Sequence, residues 1–272
     1  MMSGYQNLHT HTTFCDGALS PEEMALAAIG KGCDSIGFSE HSYVPHDQSF
    51  SLDPEASIEY VRQVNELKHR YEGIIEVFLG MEHDFYTSVA VEGLDYCLGA
   101  AHYVKKDSGF ITVDYGLTRQ KQVVDRYFNG DYYSLAEAYF KTIAGIAKVR
   151  KIDIIAHFDL VTKNNDNGSL FDESHPRYRE AAIGAMEEIL KDCNLFEVNT
   201  GTMYRINKQE QYPSAFLLKE LLDRGGEVIL SSDSHNVESI CYKFDEMKEL
   251  LKSIGFSHIK RLTKSGFVND KL

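Results

Sequence analysis

Short apolar runs alternate along this chain with longer stretches whose apolar positions repeat every three or four residues. The short runs are Asp34 to Ser39 (DSIGFS), Ile74 to Met81 (IIEVFLGM), Tyr96 to Ala101 (YCLGAA), Ile152 to Ala156 (IDIIA), Leu195 to Asn199 (LFEVN) and Glu227 to Ser231 (EVILS). With the apolar start ahead of His9 they predict seven strands. Their continuous apolarity, in place of strict alternation, predicts parallel strands buried on both faces. Helices are expected between most of them. Ser20 as N-cap, Pro21 at the first helical position and Glu23 closing a capping box predict a helix through Met24 to Gly32. Asp53-Pro54 opens a second, with Ile58, Val61, Val64 and Leu67 on one face. The expected fold is α/β, a closed or nearly closed barrel of parallel strands spanning residues 1–272 as one domain. Residues 104–133 break the rhythm with a polar turn and many aromatics, and predict an insertion or lid.

Six of the seven runs end in residues able to hold a metal. His9 and His11 follow the first, and Glu40-His41, Glu82, His102, His157 and Asp233-Ser234-His235 follow later ones. In a β/α barrel the C-terminal strand ends gather at one mouth, so residues scattered from 9 to 235 are expected to converge. In HTHTTFCDG, His9 and His11 lie two apart and would aim both imidazoles to one side of an extended segment. A lone histidine at such a place is usually structural, but six of the 11 histidines occupy these ends together with carboxylates. Mixed imidazole and carboxylate donors suit Zn²⁺, Fe²⁺ or Mn²⁺. Nine residues, His9, His11, Asp16, His41, Glu82, His102, His157, Asp233 and His235, divide into three sets if Glu82 bridges two of them, which leaves Glu40 behind the ligands. Two or three divalent metal ions are expected. His46, His69, His83, His175 and His258 are read as structural or exposed.

The charge balance narrows the partners. With 28 Lys and Arg against 41 Asp and Glu, the formal net charge is −13 and no basic cluster interrupts it, so a nucleic-acid backbone would be repelled. Five widely spaced cysteines without a C-x-x-C pair read as reduced thiols. No basic and apolar leader and no run approaching the ~18 apolar residues of a membrane span is present. A cytoplasmic protein without a membrane partner is expected.

The motifs HTHTTFCDG, SEH, GME, AAHYV, IAHFDL and SSDSH, in this order over almost the whole chain, resemble the polymerase and histidinol phosphatase (PHP) family, and within it the bacterial histidinol-phosphatase branch. The resemblance implies a distorted (β/α)7 barrel with a trinuclear centre. It places His9, His11, Glu82 and Asp233 on one metal, Glu82, His102 and His157 on a second, and Asp16, His41 and His235 on the third. Glu40 stands where many relatives have Asp, and Lys163 follows AHFDL only after Val161 and Thr162, later than the basic residue usual in that branch.

The expected substrate is a small phosphorylated molecule, L-histidinol phosphate first, hydrolysed by a metal-bridging hydroxide. Glu82, Asp233 and His235 are the catalytic candidates, with Asp16 as a further proton source. Arg205, in TGTMYR, and then Lys163 are the candidates for holding phosphate, because a guanidinium offers a two-pronged donor. Asp159 either orients His157 or caps the following turn, and Cys15 reads as a small buried apolar residue. Hydrolysis of another phosphate ester or nucleotide, an amidohydrolase with a full eighth strand, and a non-catalytic metal-binding domain are the alternatives.

Overall fold

A computed structural model describes residues 4–272 apart from 88, 90 and 108. In chain order its strands are β1 (Tyr5–Asn7), β2 (Cys33–Phe38), β3 (Glu76–Asp84), β4 (Tyr96–Ala100), β5 (Tyr103–Lys106), β6 (Gly109–Thr112), β7 (Ile154–Ile155), β8 (Leu195–Asn199), β9 (Glu227–Ser231), β10 (His258–Thr263) and β11 (Gly266–Lys271). The helices are α1 (Pro21–Gly30), α2 (Pro54–Arg70), α3 (Leu117–Phe128), α4 (Tyr132–Ile143), α5 (Ile146–Val149), α6 (Pro176–Ile189), α7 (Gly201–Arg205), α8 (Ala215–Asp223) and α9 (Phe244–Ile254).

All seven strands expected from the apolar runs form one parallel sheet in the order β1-β2-β3-β4-β7-β8-β9. The sheet nearly closes on itself just beyond the strand ends, where Thr10 bridges Ser234. It is a distorted α/β barrel, and among the described residues no helix joins β3 to β4. The two anticipated helix starts hold: Ser20 and Glu23 form the capping box of α1, and the Asp53 side chain caps α2.

Alternation within each strand divides its apolar residues between two cores. Leu8, Phe78, Tyr96, Leu98, Ala100, Ile154, Ala156, Leu195 and Ile229 fill the interior, whereas Ile155, Phe196, Val198, Val228 and Leu230 pack against the outer helices. That two-sided burial is why the runs carry no polar alternation. The base of the barrel is plugged by a C-terminal hairpin, β10 with β11, which the sequence reading did not anticipate. Leu262 of this hairpin joins the interior core, and Gln6 locks it there: its amide donates to the Leu262 carbonyl at 2.9 Å and its oxygen accepts the Leu262 N–H at 2.8 Å.

The expected break at 104–133 consists of the antiparallel hairpin β5–β6 followed by α3. Its polar turn, of which residue 108 lies outside the described residues, is the hairpin tip. No helix among the described residues is long and apolar enough to cross a membrane.

Candidate metal centre

Past β1 the chain runs as His9-Thr10-His11 and is pinned on both sides of Ser234. The Ser234 N–H donates to the His9 carbonyl at 2.9 Å, and the His11 N–H donates to the Ser234 carbonyl at 2.8 Å. This tie between the first and last barrel strands brings the H-x-H pair against Asp233 and His235. The loop then folds back on itself: a Cβ at Gly17 would lie 2.4 Å from the His11 backbone, so only glycine lets Asp16 return over His11.

Strand parity selects the acids. Along β3, Phe78, Gly80, Glu82 and Asp84 share the inner face, and Glu82 stands at the centre of the mouth. Its Oε2 lies 3.6 Å from His9 Nε2 and 3.8 Å from His11 Nε2. Asp233 Oδ1 faces the same two nitrogens at 3.7 and 3.4 Å. Four donors each ~2.1 Å from one cation at tetrahedral angles lie about 3.4 Å apart, close to these separations. His9 Nε2 and His11 Nε2 are buried without any hydrogen-bond partner. A buried polar atom left unpaired is costly, and a divalent cation satisfies both.

The other carboxylate oxygen, Glu82 Oε1, lies 2.8 Å from His157 Nε2 and 3.4 Å from His102 Nε2. A third group surrounds Asp16 Oδ1, with His235 Nε2 at 3.3 Å and His41 Nε2 at 3.6 Å. His41 Nδ1 reaches back to Glu82 Oε2 at 2.6 Å, which joins this outer group to the inner ones. All nine sequence-predicted donors therefore meet at one mouth, and Glu82 lies between the groups. His157 and Asp233 hold positive φ angles of 21° and 46°, strain of the kind that clusters at functional sites.

The tautomers follow from the partners on the far side of each ring. His9 Nδ1 lies 2.8 Å from Glu197 Oε2 and His102 Nδ1 3.3 Å from Asp84 Oδ2. Both partners only accept, so Nδ1 carries the proton and Nε2 faces the mouth; His235 Nδ1 lies between the Asp233 carbonyl at 3.0 Å and Arg205 Nη1 at 3.1 Å. Glu197 and Asp84 were not singled out from the sequence. Their signal was there in parity: Glu197 shares an inner face with Leu195 in an otherwise apolar strand, and Asp84 follows Glu82 by two. Glu197 also accepts the His157 N–H at 2.6 Å and the Ser231 hydroxyl at 2.5 Å.

Electrostatics hold the two central carboxylates and His11 in binding-competent states, whereas the neighbouring carboxylates override burial and raise His9, His41 and His102. Burial alone would raise Glu82, but His41, His102 and His9 hold it well below the usual carboxylate range. Burial likewise opposes Asp233, and Arg205 and His9 override it. Burial, with His41 and His235 nearby, pushes His11 down to about 3. Ionised carboxylates and a neutral imidazole are what a cation requires.

Several expectations need correction. Asp159 makes no hydrogen bond to His157 and caps no turn: one of its oxygens accepts the Ser214 N–H at 3.0 Å and the other has no hydrogen-bond partner. Cys15 is no inert filler, because its thiol donates to Glu40 Oε2 at 2.6 Å and lies 3.5 Å from His11 Nδ1. Glu40, which also accepts from the Thr12 N–H and hydroxyl, stands behind His11 as expected. Arg205 is committed within the protein. It donates to Asp233 Oδ2 at 2.9 Å and to the Asp233 carbonyl at 2.8 Å, and its side chain is 30% exposed. Lys163 bonds the Asp114 carboxylate at 2.6 Å and fastens the segment ahead of α3 beside the mouth. His83 points outward from β3 with Arg150 Nη1 3.1 Å from its Nδ1, and burial followed by Arg150 lowers it to about 3, a structural histidine as anticipated.

A family model described as PHP domain matches residues 7–201. A Deinococcus radiodurans protein named probable histidinol-phosphatase is 27% identical over 265 residues, covering 93% of this chain and 95% of that protein. A Schizosaccharomyces pombe protein of the same name is 24% identical over 280 residues, covering 94% of this chain and 89% of that one. Among solved structures, histidinol phosphate phosphatase from Lactococcus lactis, complexed with zinc, L-histidinol and phosphate, superposes with a TM-score of 0.73 at 19% identity, over 97% of this chain and 98% of that chain.

Proposed function

The chain belongs to the PHP domain family, and from that premise we propose that it is a metal-dependent phosphomonoesterase that hydrolyses L-histidinol phosphate to L-histidinol and phosphate. The observation that carries this reading is the cage of unpartnered donors around Glu82, buried at the mouth of the barrel. The proposed ligands are His9, His11, Glu82 and Asp233 for one cation, Glu82, His102 and His157 for a second, and Asp16, His41 and His235 for a third. Zn²⁺, Fe²⁺ and Mn²⁺ all suit these donors.

Bound divalent cations supply Lewis-acid neutralisation of the phosphate charge and lower the pKa of water. The chain's own residues set up that chemistry. Glu82 presents one oxygen to the His9 and His11 pair and the other to His102 and His157, fixing the spacing of the two inner groups. Glu197 and Asp84 hold the His9 and His102 rings with Nε2 inward. Arg205 clamps Asp233 through both its carboxylate and its carbonyl. Asp16, 37% exposed, and His235, 18% exposed, belong to the group most open to solvent, and proton return to the leaving alcohol is assigned there. Lys163, through Asp114, holds the 104–133 segment as a cover at the rim.

The test is phosphate release by Zn²⁺- or Mn²⁺-loaded protein on L-histidinol phosphate, nucleotides and sugar phosphates, compared by kcat/KM. A preference of orders of magnitude for histidinol phosphate is expected. Even, slow turnover across the panel would keep the phosphatase reading and discard the substrate. Absence of release from metal-loaded protein would discard both.

A further inference from the structure

Away from the metal centre, the start of β2 and the turn between β9 and α9 bring two thiols together. Cys33 Sγ lies 3.5 Å from Cys241 Sγ across a sequence separation of 208 residues, and both are free. Cys33 is buried and Cys241 is partly open to solvent. A disulfide needs a sulfur separation of about 2.04 Å, so the pair stands roughly 1.5 Å from bonding.

Neither thiol rides on a loose segment. Cys33 pairs with Tyr5 in the barrel sheet. Cys241 sits in a turn with φ 56°, held by Lys31 Nζ, which donates to the carbonyls of Glu238 at 2.8 Å and Ile240 at 3.0 Å. The Cys241 N–H donates to Ser232 Oγ at 3.0 Å, one residue from Asp233. The two sulfurs also differ in character. The hydrogen bond from Cys241, with Lys31 and Arg261 nearby, outweighs burial and holds the Cys33 thiol below its ordinary range. The same bond and burial push Cys241 up. An attacking thiolate beside a resolving thiol has this asymmetry.

We propose that Cys33 and Cys241 form a modification site, a dithiol that a hydroperoxide closes to a disulfide tying β2 to the turn between β9 and α9. The Cys33 thiolate attacks a peroxide oxygen, the O–O bond breaks, and the departing oxygen leaves as water or alcohol once protonated. The Cys241 sulfur then attacks the Cys33 sulfenic acid, the S–O bond breaks, and water leaves as the S–S bond forms. Two thiols thereby lose two protons and two electrons, and the hydroperoxide is reduced.

The experiment uses the full chain, reduced and loaded with redox-inert Zn²⁺, titrated with hydrogen peroxide, alkylated and mapped by mass spectrometry without reductant. Two of the five cysteines are expected to become inaccessible to alkylation, with the Cys33 and Cys241 peptides joined, lighter by two hydrogens and separated again by reductant. In Cys241→Ser the cross-link is expected to vanish and Cys33 to be trapped by dimedone. Cys33 and Cys241 remaining alkylatable while other cysteines oxidise would overturn the site, as would their oxidation singly or their joining to another cysteine. The map of the unsubstituted chain decides this even if the variant fails to fold.

Discussion

Glu197 is buried behind His9, and four groups depend on it: His9 Nδ1, the His157 N–H, the Asn199 amide and the Ser231 hydroxyl. Carboxylates that orient metal-ligating imidazoles are typically worth 10–100-fold in affinity or activity. Glu197→Gln is therefore expected to lower kcat/KM by about that factor with the far-UV circular dichroism unchanged. Unchanged kinetics would remove Glu197 from the orienting role. His46 makes a separate case. It stacks on Phe110 at 3.7 Å, and its Nε2 is buried without a partner. Burial lowers its pKa, against the pull of Asp84 and Asp47. The unfolded chain thus takes up a proton at this position before the folded one as pH falls, and stability is lost below pH ~6.5. His46→Phe keeps the stack and removes the titration. Its Tm relative to the parent is expected to rise as pH drops from 7 to 5; a pH-independent difference would contradict this account.

At the level of elements, the barrel interior explains two glycines that local propensity does not. Tyr96 lies inside the barrel, where its hydroxyl donates to the Leu8 carbonyl at 2.5 Å, directly beneath His9. A Cβ at Gly80 would lie 2.2 Å from the Tyr96 ring and one at Gly37 would lie 2.4 Å from its hydroxyl. Gly80→Ala must displace the ring and with it the Leu8 backbone. A loss of about 1–3 kcal/mol in urea unfolding is expected, the usual cost of overpacking, with a weaker metal affinity because His9 follows Leu8. A neutral substitution would mean that the ring has room the packing does not show. The β3 run also shows where sequence periodicity runs out. Continuous apolarity revealed the strand and its burial, but only parity through Glu82 and Asp84 separates the inward acids from the outward His83.

For the whole molecule, the barrel gathers nine donors, with net charge −13 over the chain, into one mouth whose buried atoms lack partners. A ligand that binds only the folded state stabilises it by about 2.7 kcal/mol at a hundred times its Kd, and each kcal/mol is worth roughly 2–4 °C at this size. Chelation is expected to lower Tm by roughly 5–10 °C and to abolish activity, and Zn²⁺ or Mn²⁺ to restore both. A Tm indifferent to chelator and metal, followed by calorimetry, would count against the cage as a metal site.

The sequence by itself determined the parallel strands, the two capped helices and eight of the nine donors, because each is a local pattern: apolar runs, cap residues, and a histidine or acid at the end of a run; Asp16 lies in the loop past His11. The sharing of Glu82 came from the family resemblance, whereas the proton positions on His9 and His102, and that Arg205 and Lys163 are tied to Asp233 and Asp114, were decided only by the tertiary structure. So were the hairpin plugging the base and the thiol contact between Cys33 and Cys241. These depend on distances between residues up to 256 apart in the chain, set by closure of the sheet and the packing of its core, and no local pattern encodes them.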